Sequence, residues 1–343
     1  MIPAITTEQP MDTPTLDAIA DADLRIRPYA IETPLLEWGM LNDKLEARIL
    51  CKAEPLQRTG SFKFRGAYNR VLRIDRKAFP GGVVACSSGN HAQGVAEAAR
   101  LCGVDAVIVM PSDAPKVKIA RTSHSGAEIV FYDRETEDRN AIARDLCEKL
   151  KADFIAPFED PIVIAGQGSV GLEMTRQAKA AAADIDAVLA PISGGGLAAG
   201  IAIAVKDQFP NAEIFCVEPK GFDDYRRSLA SGARQKNDGA SRSICDALLI
   251  AEPGELTFAI NKDLLAGGLV VSDSDVRHAV AYAWREMKLV VEPGGAVALA
   301  ALLSGVFETK GRTVAIVLSG GNVDPHLFAE IICSMKELAS SKQ

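Results

Sequence analysis

Short runs of β-branched and apolar residues recur along the chain, and most are followed by a stretch of helical composition. The runs are Arg48–Ala53, Gly82–Ser87, Asp105–Met110, Glu128–Tyr132, Ala187–Ile192, Glu213–Val217, Leu269–Ser272 and Thr313–Leu318. Several are apolar throughout, such as Val-Ile-Val-Met and Val-Ala-Ile-Val-Leu, which is how strands covered on both faces read. The intervening segments are long enough for crossover helices, and Val95–Leu101, Asn140–Leu150 and Ala279–Leu289 have helical spacing. This alternation predicts an α/β chain built on parallel, doubly wound sheets. One sheet holding every strand would be large, so two open sheets are expected. They divide the chain into a large lobe, residues 1–83 and 162–343, and a small lobe, residues 84–161. The final Ala-Ser-Ser-Lys-Gln is expected to fray.

Composition narrows the function classes. The chain has 343 residues, 38 Lys and Arg against 45 Asp and Glu, and a net charge of −7. A mildly acidic chain is a poor general nucleic-acid binder, although backbone amides can still hold a phosphate. With 48% apolar and 24% charged residues, it has the make-up of a packed globular protein rather than a disordered one. The seven Cys form no CxxC and no Cys/His cluster, and read as reduced core residues of a cytoplasmic protein. The first ten residues lack the basic and apolar regions of a signal peptide, and no apolar run is long enough to span a membrane.

Four turns share one design, in which a strand ends and small or hydroxyl residues open a helix. They are Ser87-Ser88-Gly89-Asn90-His91, Ser193-Gly194-Gly195-Gly196-Leu197, Glu292-Pro293-Gly294-Gly295 and Ser319-Gly320-Gly321-Asn322. Ligands of parallel α/β sheets bind at the carboxyl ends of strands, where helix N-termini offer free N–H groups to anions. Four such turns point to one shared pocket. The Ser193–Leu197 loop is the strongest candidate for a phosphate. A dinucleotide reading is also open, with Gly194, Gly196 and Gly200 one residue off the usual fingerprint and Glu218 about 20 residues on. Lys63 stands between Phe62 and Phe64. It is either a snorkelling surface lysine or an amine whose pKa burial lowers for imine chemistry.

Taken together, Ser-Phe-Lys63-Phe-Arg-Gly-Ala, Ser-Ser-Gly-Asn90-His-Ala-Gln-Gly, the Ser193–Leu197 loop and Ser319-Gly-Gly-Asn resemble the pyridoxal-phosphate enzymes of fold type II. Within them the chain is similar to the serine/threonine dehydratase and serine racemase branch. The motifs stand in family order across roughly residues 30–325. The resemblance implies a tryptophan synthase β-like fold with a mobile small domain. It also implies a homodimer and a small amino-acid substrate, while the acidic charge and the lack of a long apolar run argue for neither a nucleic-acid nor a membrane partner.

Position by position, the resemblance assigns Lys63 as the lysine that bonds the cofactor and then serves as acid and base at the substrate Cα. Phe62 flanks the cofactor ring, Asn90 bonds its 3′-oxygen, and Ser193, Gly194, Gly195, Gly196 and Leu197 form the phosphate cup. Ser193 stands where the family often has Gly. Ser319 matches the partner of the pyridine nitrogen. A neutral hydroxyl there leaves a weaker electron sink than a carboxylate would, which favours prompt β-elimination over transamination. Ser87, Ser88, Gly89 and His91 match the loop that receives the substrate carboxylate. Ser88 aligns with the opposite-face acid/base of the racemases, and His91 is read as positioning that loop. Glu292 matches a family carboxylate near the cofactor. Glu218, the carbonyl of Phe222 and Asp224 match a divalent-cation site whose hard oxygen ligands suit Mg²⁺ or Ca²⁺.

The implied activity is dehydration of a threonine- or serine-type β-hydroxy amino acid to a 2-oxo acid and ammonia. The branch usually carries Ala-Asp-Gly near the substrate entrance, but here the stretch is Ile244-Cys245-Asp246-Ala247-Leu248. That departure keeps a 3-hydroxyaspartate dehydratase open. A serine racemase using Ser88, a β-replacement enzyme, a non-catalytic homologue and an NAD-binding dehydrogenase are the rivals. The C-terminal effector domain of the regulatory threonine dehydratases is expected to be absent.

Overall fold

The computed structural model describes residues 13–114 and 116–340. The amino-terminal segment read above as lacking a signal sequence falls outside them, as do the last three residues of the tail expected to fray. Helix α1 (Leu16–Ile26), strand β1 (Leu35–Leu36), helix α2 (Gly39–Leu45), strand β2 (Arg48–Ala53) and helix α3 (Lys63–Val71) open the chain. Next come β3 (Val83–Cys86), α4 (Asn90–Cys102), β4 (Ala106–Pro111), α5 (Lys116–His124), β5 (Glu128–Tyr132), α6 (Arg139–Leu150) and β6 (Asp153–Phe154). Then follow α7 (Pro161–Ala180), β7 (Ala187–Pro191), α8 (Gly196–Gln208), β8 (Glu213–Pro219), α9 (Asp224–Ser231) and α10 (Glu255–Leu264). The chain closes with β9 (Gly267–Val271), α11 (Asp273–Tyr282), α12 (Pro293–Leu303), β10 (Thr313–Leu318) and α13 (Pro325–Ser340).

The strands form two sheets. One has six strands in the order β1-β2-β10-β7-β8-β9, and the other has four in the order β5-β4-β3-β6. All pairs are parallel except β1 with β2. Alternate residues of each central strand feed opposite cores. In β10, Val314, Ile316 and Leu318 join the core under α11 and α12, while Ala315 and Val317 join the core under α7 and α8. In β4, Ile108 and Met110 face α3 and α4, while Val107 and Val109 face α6. Coverage on both faces is why these strands are apolar along their buried length. Helix α3 contributes Phe64, Ala67, Tyr68 and Val71 to the core of the four-stranded sheet, although it lies before that sheet in the chain.

The differences from the sequence reading are local. The two-residue strands β1 and β6 were not predicted, because so short a pairing has no periodicity to read. Strand β9 begins two residues early, on Gly267 and Gly268. Helical structure near 279–289 starts instead at Asp273, where Ser272 and Asp275 form a capping box. It passes into one π turn, Ala283–Met287, and stops at Lys288 with φ 59°. Helix α13 continues to Ser340, into the segment expected to fray. All seven Cys are free, and Cys333 is exposed rather than in the core. Among the described residues no helix is long and apolar enough to cross a membrane.

Candidate active site

The carboxyl edges of the two sheets meet around a cavity of about 530 Å³. Every residue assigned above to cofactor or substrate lines it: Phe62 and Lys63, Ser87–His91, Ser193–Leu197, Glu292 and Ser319. The three residues assigned to a cation do not.

Lys63 opens α3. An isolated bridge between Ser61 and Gly320 holds the segment before it, with hydrogen bonds from Phe62 N to Ser319 O (3.1 Å) and from Gly321 N to Gly60 O (2.8 Å). This lashing puts the Lys63 and Ser319 loops side by side at the end of β10. Nζ donates to the carbonyl of Pro157 at 2.9 Å and stands 5.2 Å from the Phe62 ring centre. No carboxylate pairs with it among the described residues. Burial pushes its amine down from 10.5 to about 8, which argues against the snorkelling alternative.

The Ser193–Leu197 loop needs its glycines. Gly195 has φ +100°, and a Cβ there would lie 2.0 Å from the Tyr225 hydroxyl. A Cβ on Gly194 would lie 2.2 Å from the Phe158 ring. The bare backbone therefore forms a cradle at the start of α8, a cavity wall suited to an anion. Its carbonyls are held from behind: Thr257 Oγ1 donates to Gly194 O at 2.5 Å, and Asn261 Nδ2 donates to Gly195 O at 3.1 Å. Gly200 instead faces α7, where a Cβ would sit 2.6 Å from Ile164 O. Helix packing thus accounts for the third glycine of the dinucleotide spacing. The cradle and the unpaired amine of Lys63 together fit pyridoxal phosphate.

Asn90 donates to Glu292 Oε1 at 2.6 Å and accepts from Asn322 Nδ2 at 2.8 Å. Asn322 is fixed in turn by Arg121 Nη1 (2.6 Å) and by the carbonyl of Thr59 (2.8 Å). Burial and, after it, the charge of Asp246 raise Glu292 to about 7. Ser87 Oγ accepts from Gly89 N at 3.1 Å and shapes the turn that carries Ser88. His91 Nε2 bonds the carbonyl of Ile155 at 2.9 Å, while Nδ1 is buried without a partner. Burial and the charge of Lys63 lower His91 to about 3, so the ring is neutral and a poor base.

Away from the cavity, Glu218 and Asp224 are each 1% exposed. Glu218 accepts from Tyr225 N and Arg226 N, both at 2.8 Å, and so caps α9. Asp224 Oδ1 accepts from Asn237 at 2.6 Å, and Oδ2 is buried with no partner. Burial first, then the neighbouring acid, raises Glu218 to about 8, and burial raises Asp224 to about 6. An orphaned carboxylate oxygen beside a second buried acid fits a hard cation. Among the described residues no group of three His, Cys, Asp or Glu side chains is placed for a metal.

Several residues of the site escaped the sequence reading. Phe158, Thr257, Asn261 and Asn322 support it from behind, and Asn322 alone lay inside a recognised motif. Lys118, Arg134 and Arg139 line the mouth. Lys118 pairs across the mouth with Asp246, in the stretch where the branch motif departs.

Residues 26–320 match the family described as pyridoxal-phosphate dependent enzyme. The chain is 40% identical over 327 residues to the L-threo-3-hydroxyaspartate ammonia-lyase of Saccharomyces cerevisiae, covering 95% of this chain and 99% of that one. It is 38% identical to the serine racemase of Dictyostelium discoideum, over 94% of this chain and 99% of that one. Among solved structures, a threonine deaminase from T.th. superposes with a TM-score of 0.85 at 44% identity, covering 91% of this chain and 99% of that one.

Proposed function

The chain belongs to the pyridoxal-phosphate dependent enzymes, and from that premise we propose an ammonia-lyase that turns a β-hydroxy amino acid into a 2-oxo acid and ammonia. The observation that carries this reading is the cavity itself. It joins a lysine with a lowered pKa, a bare-backbone cradle and an uncharged serine at the end of β10. Bound there, pyridoxal phosphate supplies the sink for the electrons left at Cα when its proton departs.

The chain's own residues do the rest. The N–H groups of Ser193–Leu197 would hold the phosphate, Asn90 the 3′-oxygen, Phe62 would flank the ring, and Ser319 would partner the ring nitrogen. Ser87, Ser88, Gly89 and His91 orient the substrate carboxylate at the start of α4, where backbone N–H groups are free. Lys63 takes the Cα proton as its neutral amine. The β-hydroxyl leaves with a proton as water, and water returns in the hydrolysis that releases ammonia. Residues 84–161 act as a mobile lobe that closes over the substrate and excludes solvent. Glu218, the Phe222 carbonyl and Asp224 hold Mg²⁺ or Ca²⁺. The enzyme works as a homodimer in the cytoplasm.

A second reading has one observation in its favour. Arg139 lines the cavity mouth and makes no ion pair among the described residues, with Arg134 nearby. A substrate with a second carboxylate, such as 3-hydroxyaspartate, would meet that cationic rim. The test is to add L-threonine, L-serine and 3-hydroxyaspartate to the purified protein while recording its visible spectrum and 2-oxo acid release. The lyase reading predicts a cofactor band that Lys63→Ala abolishes, with oxo acid from at least one substrate. Arg139→Ala lowers kcat/KM for 3-hydroxyaspartate about tenfold more than for L-threonine if the second reading holds, since one charge-assisted contact contributes ~1.5 kcal/mol. Enantiomer formation without ammonia would instead identify a racemase, and a colourless protein that pyridoxal phosphate cannot load would overturn both.

A further inference from the structure

Tyr225 is fully buried, follows Asp224 directly, and ends against the phosphate cradle. Its backbone N–H donates to Glu218 Oε1 at 2.8 Å, so Glu218 holds one end of the residue. Its hydroxyl occupies the space that a Gly195 Cβ would need, 2.0 Å from that position. The hydroxyl donates to Thr257 Oγ1 at 3.2 Å and accepts from Asn261 Nδ2 at 3.0 Å. Those two side chains hold the carbonyls of Gly194 and Gly195. One rigid ring thus spans from the acid pair to the loop, with no intervening flexible segment.

Glu218 caps the start of α9, and Asp224 opens that helix with one buried oxygen left without a partner. A cation held between the two side chains would fix the helix start, and the ring would carry the fixed position to the glycines. We propose that Tyr225 is a positioning residue through which a divalent cation at Glu218 and Asp224 tightens the loop's hold on the cofactor phosphate. By linkage, cofactor binding tightens the cation equally. The inference rests on the proposed phosphate and cation sites.

The experiment titrates full-length protein with pyridoxal phosphate, reading the cofactor's visible band, once in MgCl₂ and once in EDTA. Calorimetry with MgCl₂ alone reports cation binding separately. Wild type should bind pyridoxal phosphate several-fold more weakly in EDTA. In Tyr225→Phe, which keeps the ring and loses the hydroxyl, the two affinities should converge while the heat of Mg²⁺ binding persists. Asn261→Ala cuts the link one bond further on and should also converge, which keeps the test intact if Tyr225→Phe folds poorly. The proposal is overturned if both variants keep the wild-type difference, or if wild type binds Mg²⁺ yet shows none. Absence of any cation heat, with Ca²⁺ as well as Mg²⁺, overturns the cation site and this inference together, while leaving the lyase reading to its own test.

Discussion

Two clusters of buried charge lie in the large sheet's half of the molecule, and they differ in whether the charges are matched. Beneath the start of α3, Arg65 meets Glu54 (2.8 Å) and Glu173 (2.7 Å), and Lys52 meets Glu173 (2.7 Å). Thr33, Ser169 and Gln177 take up further hydrogen-bonding capacity, and no member of this tetrad is more than 4% exposed. Two cations balance two anions. At the end of β8, Glu218 and Asp224 are as deeply buried, yet neither makes an ion pair among the described residues and one oxygen is orphaned. Lys63 is the positive counterpart of that imbalance, an amine with only a carbonyl for company. Burial of charge alone therefore does not mark function. A balanced set has its partners inside the fold, and an unbalanced one does not.

The largest expected effect falls on the unbalanced amine. On the proposed mechanism Lys63→Ala should lower kcat by at least ~10³-fold, since it would remove both the cofactor bond and the acid–base group, while the melting temperature stays near wild type. Arg65→Met should do the reverse. It leaves Glu54 and Glu173 uncompensated and should cost ~3–5 kcal/mol in denaturant unfolding, because breaking a buried pair strands its partner. A stable Arg65→Met protein would break the contrast between the clusters.

Smaller effects sharpen it. Mg²⁺ should stabilise the protein by ~2.7 kcal/mol at a hundredfold excess over Kd, read as a higher melting temperature, and EDTA should remove the gain. Equal melting in both buffers would place the acid pair with the structural cluster. Cofactor capture by cofactor-free protein should rise with pH, because only the neutral amine attacks. With Lys63 at about 8 the rate climbs ~5-fold from pH 7 to pH 8 and levels off above pH ~9. A lysine at its ordinary value would keep climbing ~10-fold per unit past pH 9. Stopped-flow absorbance distinguishes the two curves.

Much of the fold was legible because parallel strands covered on both faces cannot avoid continuous apolar runs, as β4 and β10 show. Strand β1 was not, since two residues carry no pattern. The site's front was legible for a similar reason: a bare backbone beside an anion demands small residues in a row, and Ser193–Leu197 supplies them. Its back was not. Tyr225, Thr257 and Asn261 are common residue types brought together across more than thirty positions, and only the fold makes them neighbours. Lys52, a lone charge inside an apolar strand, was a visible sign of a buried pair, although its partner in α7 was beyond reading. Asp246 likewise stood out as part of a departure from the branch motif, but its ion pair with Lys118 across the mouth did not.

The register of the six-stranded sheet also sets an order of events during synthesis. Strand β10 lies between β2 and β7, with Thr313 beside Arg48 and Val314 beside Ala187. The strand made after both of its neighbours is thus the wedge between them. A ribosome adding ~5–20 residues per second leaves β2 without its inner neighbour for many seconds, while the four-stranded sheet, complete by Phe154, can already close. Nascent chains halted before Thr313 should therefore carry a finished small sheet, a split large one and two open strand edges for a chaperone to shield.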